Sequence, residues 1–205
     1  MRVVAWWIDI LYMLRKPLQL PMQLIHMLTG IPFRDMFEYY AFGELKGTAM
    51  LSDLQRFLFR KAEGISLGEP ELNAVRNVKD PFWLATTDFV MTGLAPLEVR
   101  NAFYADHKIA LTQLLKERGK QLPPGLLDEA LTLSAALIDA YASKRPFILN
   151  QRYNIWEVTS NFMRGFPWQL RTGNFRHIHD WTGPPDYLVR VEESRFAVQQ
   201  GSSFK

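Results

Sequence analysis

The chain contains no cysteine. This absence excludes disulfide bonds, thiolate zinc sites, cysteine-ligated iron–sulfur clusters and a cysteine nucleophile. It fits a reducing compartment, and we therefore expect a cytoplasmic protein. The chain also lacks the glycine-rich phosphate and dinucleotide motifs, the Gly-x-Ser-x-Gly motif of serine hydrolases and the His-Glu-x-x-His motif of zinc proteases. Nucleotide binding and serine hydrolysis consequently have no support from a local motif, and the identity of any cofactor stays open.

An excess of charge of one sign is missing as well. The chain has 24 lysine and arginine residues against 21 acidic residues, which gives a formal net charge of +3 at pH 7. This balance is too even to predict a nucleic-acid partner. Hydrophobic residues make up 48% of the 205 positions, which is enough for one domain with its own core.

The apolar run at the N-terminus is too short to span a membrane. This run, Val3–Leu14, is interrupted by Asp9 and falls below the roughly 20 residues that a spanning helix needs. Basic residues follow it where a cleavage site would have small ones, so we expect a retained segment rather than a signal peptide. Trp6, Trp7 and Ile10 give it an apolar surface, which predicts an interface with a partner protein. Peripheral contact with a membrane through the same helix is the alternative.

The sequence does contain a regular series of helix start and stop signals. Pro96–Arg118 is the longest stretch with apolar residues at helical spacing, and Gly125–Ser143 is another. Ser52 and Gln55 match a capping box that would open a helix. A further helix is expected over Asn150–Arg164, with the asparagine as its cap. We therefore predict a mainly α fold, a single compact helical domain with a small C-terminal β-hairpin.

The C-terminal part of the chain is richer in proline, glycine and aromatic residues. Tyr187–Val191 alternates in polarity as a strand does, and Phe196–Val198 could pair with it as a β-hairpin. We accordingly expect a helical body over residues 1–165. Residues 166–205 would add an aromatic and basic loop, the hairpin and a flexible tail to the same domain.

Arginine and aromatic residues are interleaved through Lys144–Trp181. The forked guanidinium of arginine binds carboxylates and phosphates, and aromatic faces accept stacked guanidinium groups. Up to Arg164 the helical spacing also fits buried aromatics beneath a solvated basic face. After Gly165 no long helix is expected, so this part predicts a surface for an anionic ligand or partner. The candidate ligand-binding residues are Trp168, Arg171, Arg176 and Trp181.

Two histidines, His177 and His179, stand two positions apart beside Asp180. In an extended segment both imidazoles would point to one side. Either could act as a general base near neutral pH, or the pair could form a weak metal site with Asp180. A structural role is the alternative. Asp106 and His107, in contrast, lie within the long helix and are expected at its surface.

Two hypotheses of function remain. The first is a helical accessory or binding subunit that contacts a partner protein or peptide. It would use the apolar N-terminal helix and the basic and aromatic C-terminal surface. The second is an enzyme with a pocket under the loop 165–185, in which His177 or His179 acts as general base or weak metal ligand.

Overall fold

Helices account for most of the described chain, as the capping and periodicity signals predict. The computed structural model describes residues 15–66, 94–179 and 189–193. Its helices are α1 (Arg15–Thr29), α2 (Phe33–Phe42), α3 (Ala49–Ser66), α4 (Leu97–Glu117), α5 (Leu126–Ser143) and α6 (Ile155–Met163). Its strands are β1 (Phe147–Tyr153), β2 (Thr172–His179) and β3 (Val189–Glu193). The predicted fold class, mainly α with a small C-terminal β-structure, is confirmed.

The chain divides into two compact units, Met1–Arg145 and Pro146–Lys205. Helices α1 to α5 belong to the first unit, which we call the helical unit. Strands β1, β2 and β3 and helix α6 belong to the second, which we call the sheet unit. Our expectation that both parts belong to one domain stays a prediction.

The sheet has β2 at its centre, paired antiparallel with β1 on one side and with β3 on the other. The strand predicted at Tyr187–Val191 corresponds to β3, whose described residues are Val189–Glu193. Its predicted partner, Phe196–Val198, lies outside the described residues. The sheet therefore has a strand, β1, that the sequence did not predict.

The prediction of one helix over Asn150–Arg164 is wrong in its first part. This part belongs to β1, and the helix begins only at Ile155. Burial along β1 alternates with a period of two residues, as it does in a strand with one covered face. Pairing with β2, a segment distant in sequence, outweighs the helical spacing of the local residues.

The capping box predicted at Ser52 does not form, because α3 begins earlier, at Ala49. The Ser52 hydroxyl instead donates to the Leu45 carbonyl oxygen at 2.8 Å. The Gln55 side-chain amide donates to the Gly43 carbonyl oxygen at 3.1 Å and to two further carbonyls at the end of α2. Both side chains thus hold the connection between α2 and α3.

Asp106 and His107 are buried, so the expectation that they lie at the surface is wrong. Asp106 is 8% exposed and His107 is 0% exposed. The Asp106 Oδ2 accepts a hydrogen bond from the Leu51 amide at 3.0 Å, in the first turn of α3, where amides have no partner within the helix. The His107 Nδ1 is hydrogen-bonded to the Tyr40 hydroxyl of α2 at 2.7 Å. Two neighbouring side chains of α4 therefore tie it to α2 and to α3.

Aromatic rings surround the His107 imidazole. The Phe103 ring centroid lies 4.3 Å from it and the Tyr40 centroid 5.4 Å. Burial lowers the pKa of His107 to about 3, so the ring is neutral at physiological pH. Its Nε2 has no hydrogen-bond partner in the described part of the chain. The bond to the Tyr40 hydroxyl is therefore important for placing this side chain.

Replacing Tyr40 by phenylalanine tests this interaction. We expect Tyr40→Phe to lower the free energy of unfolding by about 1–3 kcal/mol, because it leaves a buried imidazole nitrogen unsatisfied. Urea denaturation followed by circular dichroism measures the change. The matched control is Tyr39→Phe, since the Tyr39 hydroxyl donates to Gln113 at 3.2 Å in a hydrogen bond that is only partly buried. Equal losses for the two variants would contradict the role given to the buried pair.

Candidate functional site

The buried residue before α6, Asn154, holds the loop that follows this helix. Its Nδ2 donates to the Gln169 carbonyl oxygen at 3.1 Å. Its Oδ1 accepts a hydrogen bond from the Arg171 amide at 2.8 Å. One side-chain amide thus satisfies a backbone acceptor and a backbone donor two positions apart. The loop between α6 and β2 is therefore fixed close to the start of β2.

The other end of this loop is fixed by the C-terminal cap of α6. Gly165 has a φ of 70°, a left-handed conformation that glycine adopts without steric cost. Its amide donates to the Phe162 carbonyl oxygen at 3.1 Å, and the Phe166 amide donates to the Asn161 carbonyl oxygen at 2.9 Å. These two hydrogen bonds form a Schellman motif, which sets the backbone position of Phe166.

Large apolar side chains are exposed at the end of α6 and along the loop between these two anchors. Met163 is 62% exposed, Phe166 is 55% exposed and Trp168 is 37% exposed. The Trp168 ring lies edge-on to Phe162 with 6.3 Å between the centroids, a favourable arrangement of aromatic rings. We call these four side chains the aromatic surface. Exposed apolar side chains that follow one another closely along a segment often mark sites of contact with other molecules.

Arg171, a candidate ligand-binding residue, already has two carboxylate partners. Its guanidinium lies 2.7 Å from a carboxylate oxygen of Glu193 on β3 and 3.0 Å from one of Glu157 on α6. Hydrogen bonds to Glu193 and Glu157 raise the pKa of Arg171 above its ordinary value. An anionic ligand would have to compete with both carboxylates. The role of Arg171 in ligand binding therefore stays a prediction.

The remaining candidate ligand residues do not all fall within the described chain. Arg176 lies on β2, half-buried, opposite Asn150 of β1 and Glu192 of β3. Trp168 belongs to the aromatic surface described above. Trp181 lies outside the described residues. Anion binding by these side chains therefore remains a prediction.

His177 and His179 both lie on β2, and the extended backbone places their imidazoles on the same face of the sheet, as their spacing predicts. Both are buried, at 0% and 2% exposure. The His179 ring stacks on Phe147 of β1, with an interplanar angle of 6°. The His177 Nε2 accepts a long hydrogen bond, 3.5 Å, from the Trp156 amide in the first turn of α6. These contacts are typical of structural histidines.

Burial also changes the acid–base chemistry of His177. It lowers the pKa of this imidazole to about 4, so the ring is neutral at pH 7 and is a weak base. Its Nδ1 has no hydrogen-bond partner among the residues that the structure describes. General-base catalysis by His177 would require a movement that brings this ring to a substrate.

The described residues do not show how a metal ion would be bound or how the N-terminal interface would be formed. No group of three or more histidine, aspartate or glutamate side chains in the described ranges could hold a metal ion, and Asp180 lies outside these ranges. Trp6, Trp7 and Ile10 also lie outside them. Of the helices formed by described residues, none is both long and apolar enough to cross a bilayer.

No protein-family model matches this chain, and no curated protein or solved structure matches it. Its function must therefore be inferred from its own side chains and their surroundings.

The sequence analysis missed the residues that give this site its shape. Asn154 was expected to lie inside a helix, whereas it lies before one and braces the following loop. Met163 and Phe166 are absent from the candidate site residues that the sequence predicted, although both are exposed. A signal was present at Gly165, because a glycine after a helix predicts a Schellman motif and places the next residue beside the helix end.

Asn154→Ala tests whether the side chain of Asn154 fixes the loop between α6 and β2. The variant loses both hydrogen bonds, and we expect it to lower the stability of the sheet unit by about 1–3 kcal/mol. The sharper measurement is amide hydrogen exchange at Arg171, which should accelerate because its acceptor is removed. Asn174→Ala, an exposed position on β2, is the control. Unchanged exchange at Arg171 would show that another group fixes the loop.

The pH dependence of stability tests the two buried imidazoles. In the folded chain the pKa is about 3 for His107 and about 4 for His177, against 6.5 for an ordinary histidine. The unfolded chain therefore binds protons below about pH 6.5 that the folded chain does not bind, so stability is full above this pH and is lost as the pH falls. We expect a loss of about 2 kcal/mol per histidine between about pH 7 and about pH 5.

Urea unfolding curves over this pH range measure the effect. In His107→Gln the helical unit should lose much of its pH dependence, because the group that titrates is absent. Stability that stays constant on acidification of the unsubstituted chain would show that both imidazoles accept a proton in the folded state.

Proposed function

We propose that this chain is a binding or accessory protein that contacts a partner protein or peptide through the aromatic surface of its sheet unit. The observation that carries the proposal is the exposure of Met163 at the end of α6 and of Phe166 and Trp168 on a loop that is fixed at both ends. Exposed side chains of this size leave apolar area in contact with water, and covering that area on association is favourable.

The fixed backbone supports binding in a second way. Ordering a loop on association opposes binding, and a loop that is ordered before the encounter avoids this cost. The Schellman motif at Gly165 and the side chain of Asn154 provide this order within the free chain. Tryptophan is also among the residue types that contribute most to binding energy at protein interfaces.

The proposal also includes the apolar N-terminal segment and the cellular location of the chain. The apolar N-terminal segment with Trp6, Trp7 and Ile10 could add a second contact, but those residues lie outside the described chain. A cytoplasmic location likewise remains an expectation from the absence of cysteine.

The alternative, an enzyme that uses His177 or His179 as a base, has weaker support. Both imidazoles are buried, and the pKa of His177 is lowered to about 4. Proton transfer near neutral pH is most efficient with a base whose pKa is close to the working pH. The exposed aromatic surface therefore supports binding better than the buried histidines support catalysis.

Copurification with matched variants tests the proposal. The tagged full-length chain is isolated from its own cells as the unsubstituted protein, as the double variant Phe166→Ser and Trp168→Ser, and as the control Ile148→Ser. Ile148 is 59% exposed on β1 and lies outside the aromatic surface. We expect a stoichiometric partner with the unsubstituted chain and the control, and its loss with the double variant.

Circular dichroism of the purified chains establishes that each variant is folded. A partner that the double variant retains, or the absence of a stoichiometric partner from the unsubstituted protein, would contradict the proposal.

A further inference from the structure

We infer that the partner of the aromatic surface presents a carboxylate between apolar side chains, so that it is an acidic and apolar protein segment. This inference rests on the proposed function and specifies the chemistry of the partner. It follows from one charged residue, Arg164, that lies within the sequence of the aromatic surface.

Arg164 is the only charged residue from Val158 to Leu170. It occupies the C-cap position of α6, between Met163 and the glycine of the Schellman motif. Its side chain is exposed, and it forms no ion pair with any residue in the ranges 15–66, 94–179 and 189–193. The nearest charged residues on either side, Glu157 and Arg171, are paired with each other. The segment that carries the aromatic surface therefore contains one cation, and none of the described residues forms an ion pair with it.

A partner that covers Met163 and Phe166, which flank Arg164 and Gly165 in the chain, also comes close to this exposed arginine and displaces water from it. A guanidinium that loses its water without gaining an acceptor is strongly unfavourable. A carboxylate on the partner compensates for this loss, because the planar guanidinium fork binds it through two parallel hydrogen bonds. A purely apolar or basic partner segment provides no such acceptor.

The same reasoning disfavours a second copy of this chain as the partner. In a two-fold contact each molecule uses the same surface, so the second copy would bring another Arg164 and no carboxylate from that surface. Two cations would then be covered with no acceptor between them. Association of two copies through the aromatic surface is therefore not expected.

An anionic membrane also offers acceptors, but the number of cations favours a protein. Attraction to anionic headgroups is weak for a single basic residue, and surfaces that bind such membranes usually carry clusters of several. Here Arg164 stands alone, whereas Trp168 and the guanidinium are residue types that dominate protein interfaces. A protein segment fits this composition better than a lipid surface.

Selection from a displayed library of short random peptides tests the inference. Peptides are selected on the full-length chain, and those that still bind the Phe166→Ser variant are discarded, so the retained ones bind the aromatic surface. We expect them to be enriched in Asp or Glu next to Trp, Phe or Leu. Their affinity for Arg164→Glu should be lower by about tenfold or more, the scale of one charge-assisted hydrogen bond. Replacing the acidic residue of the peptide by lysine should restore binding to Arg164→Glu.

Arg152→Glu is the matched control, because Arg152 is an exposed arginine on β1, outside the aromatic surface. Its effect should stay within about twofold, as is usual for an exposed charge.

Retained peptides that are neutral or basic, or that bind Arg164→Glu as well as the unsubstituted chain, would overturn the inference while leaving the proposed function intact. Binding to phosphatidylserine vesicles that depends on Arg164, with no acidic peptide retained, would overturn it in favour of a lipid headgroup. Failure of the proposed function is distinct, because the copurifying partner would then be insensitive to Phe166 and Trp168.

Discussion

Asp106 and His107 are neighbours on α4, and each forms a hydrogen bond with a different helix. Asp106 accepts the Leu51 amide of α3, and His107 is bonded to the Tyr40 hydroxyl of α2. Apolar contacts are not directional, so they alone would allow the three helices several similar arrangements. A buried polar group that loses its partner is costly, and this cost selects the arrangement in which both bonds form. The connection between α2 and α3 is held by the same arrangement, because Gln113 of α4 donates to the Lys46 carbonyl oxygen at 2.8 Å.

In the sheet unit, the buried side chain of Asn154 likewise forms hydrogen bonds that fix another segment. A single buried amide fixes backbone that would otherwise be free to move, and the carbonyl and amide that it satisfies belong to the loop leading into β2. The consequence differs from that in the helical unit, because the fixed segment carries its aromatic side chains towards solvent. Rigidity and exposure are thus combined at the same place. This combination distinguishes Phe166 and Trp168 from apolar side chains that are exposed singly, which are common on protein surfaces.

The sequence predicted elements well where the signal is local. The helices at α4 and α5 follow from apolar spacing and from the glycines and prolines at their ends. The sequence predicted elements poorly where the contact that forms them joins residues far apart in the chain. β1 forms because β2 lies beside it, and no pattern within Asn150–Arg164 contains that information. The spacing of His177 and His179 predicted a common face, but not that the face is covered. Burial depends on packing from other elements, which neighbouring residues in the sequence do not reveal.

The pairing of β1 with β2 also affects how the aromatic surface is assembled. Helix α6 and its following loop lie between these two strands in the chain, so the surface is enclosed by one strand pair. The contacts at the C-terminal cap of α6 join residues at most five positions apart, and the two hydrogen bonds of Asn154 close a loop of fewer than twenty residues, which costs less chain entropy than a longer loop would. β3 adds to the opposite edge of β2 from a later position in the chain. During synthesis every residue of the aromatic surface therefore leaves the ribosome before the residues of β3 do, so none of its four side chains has to wait for that strand.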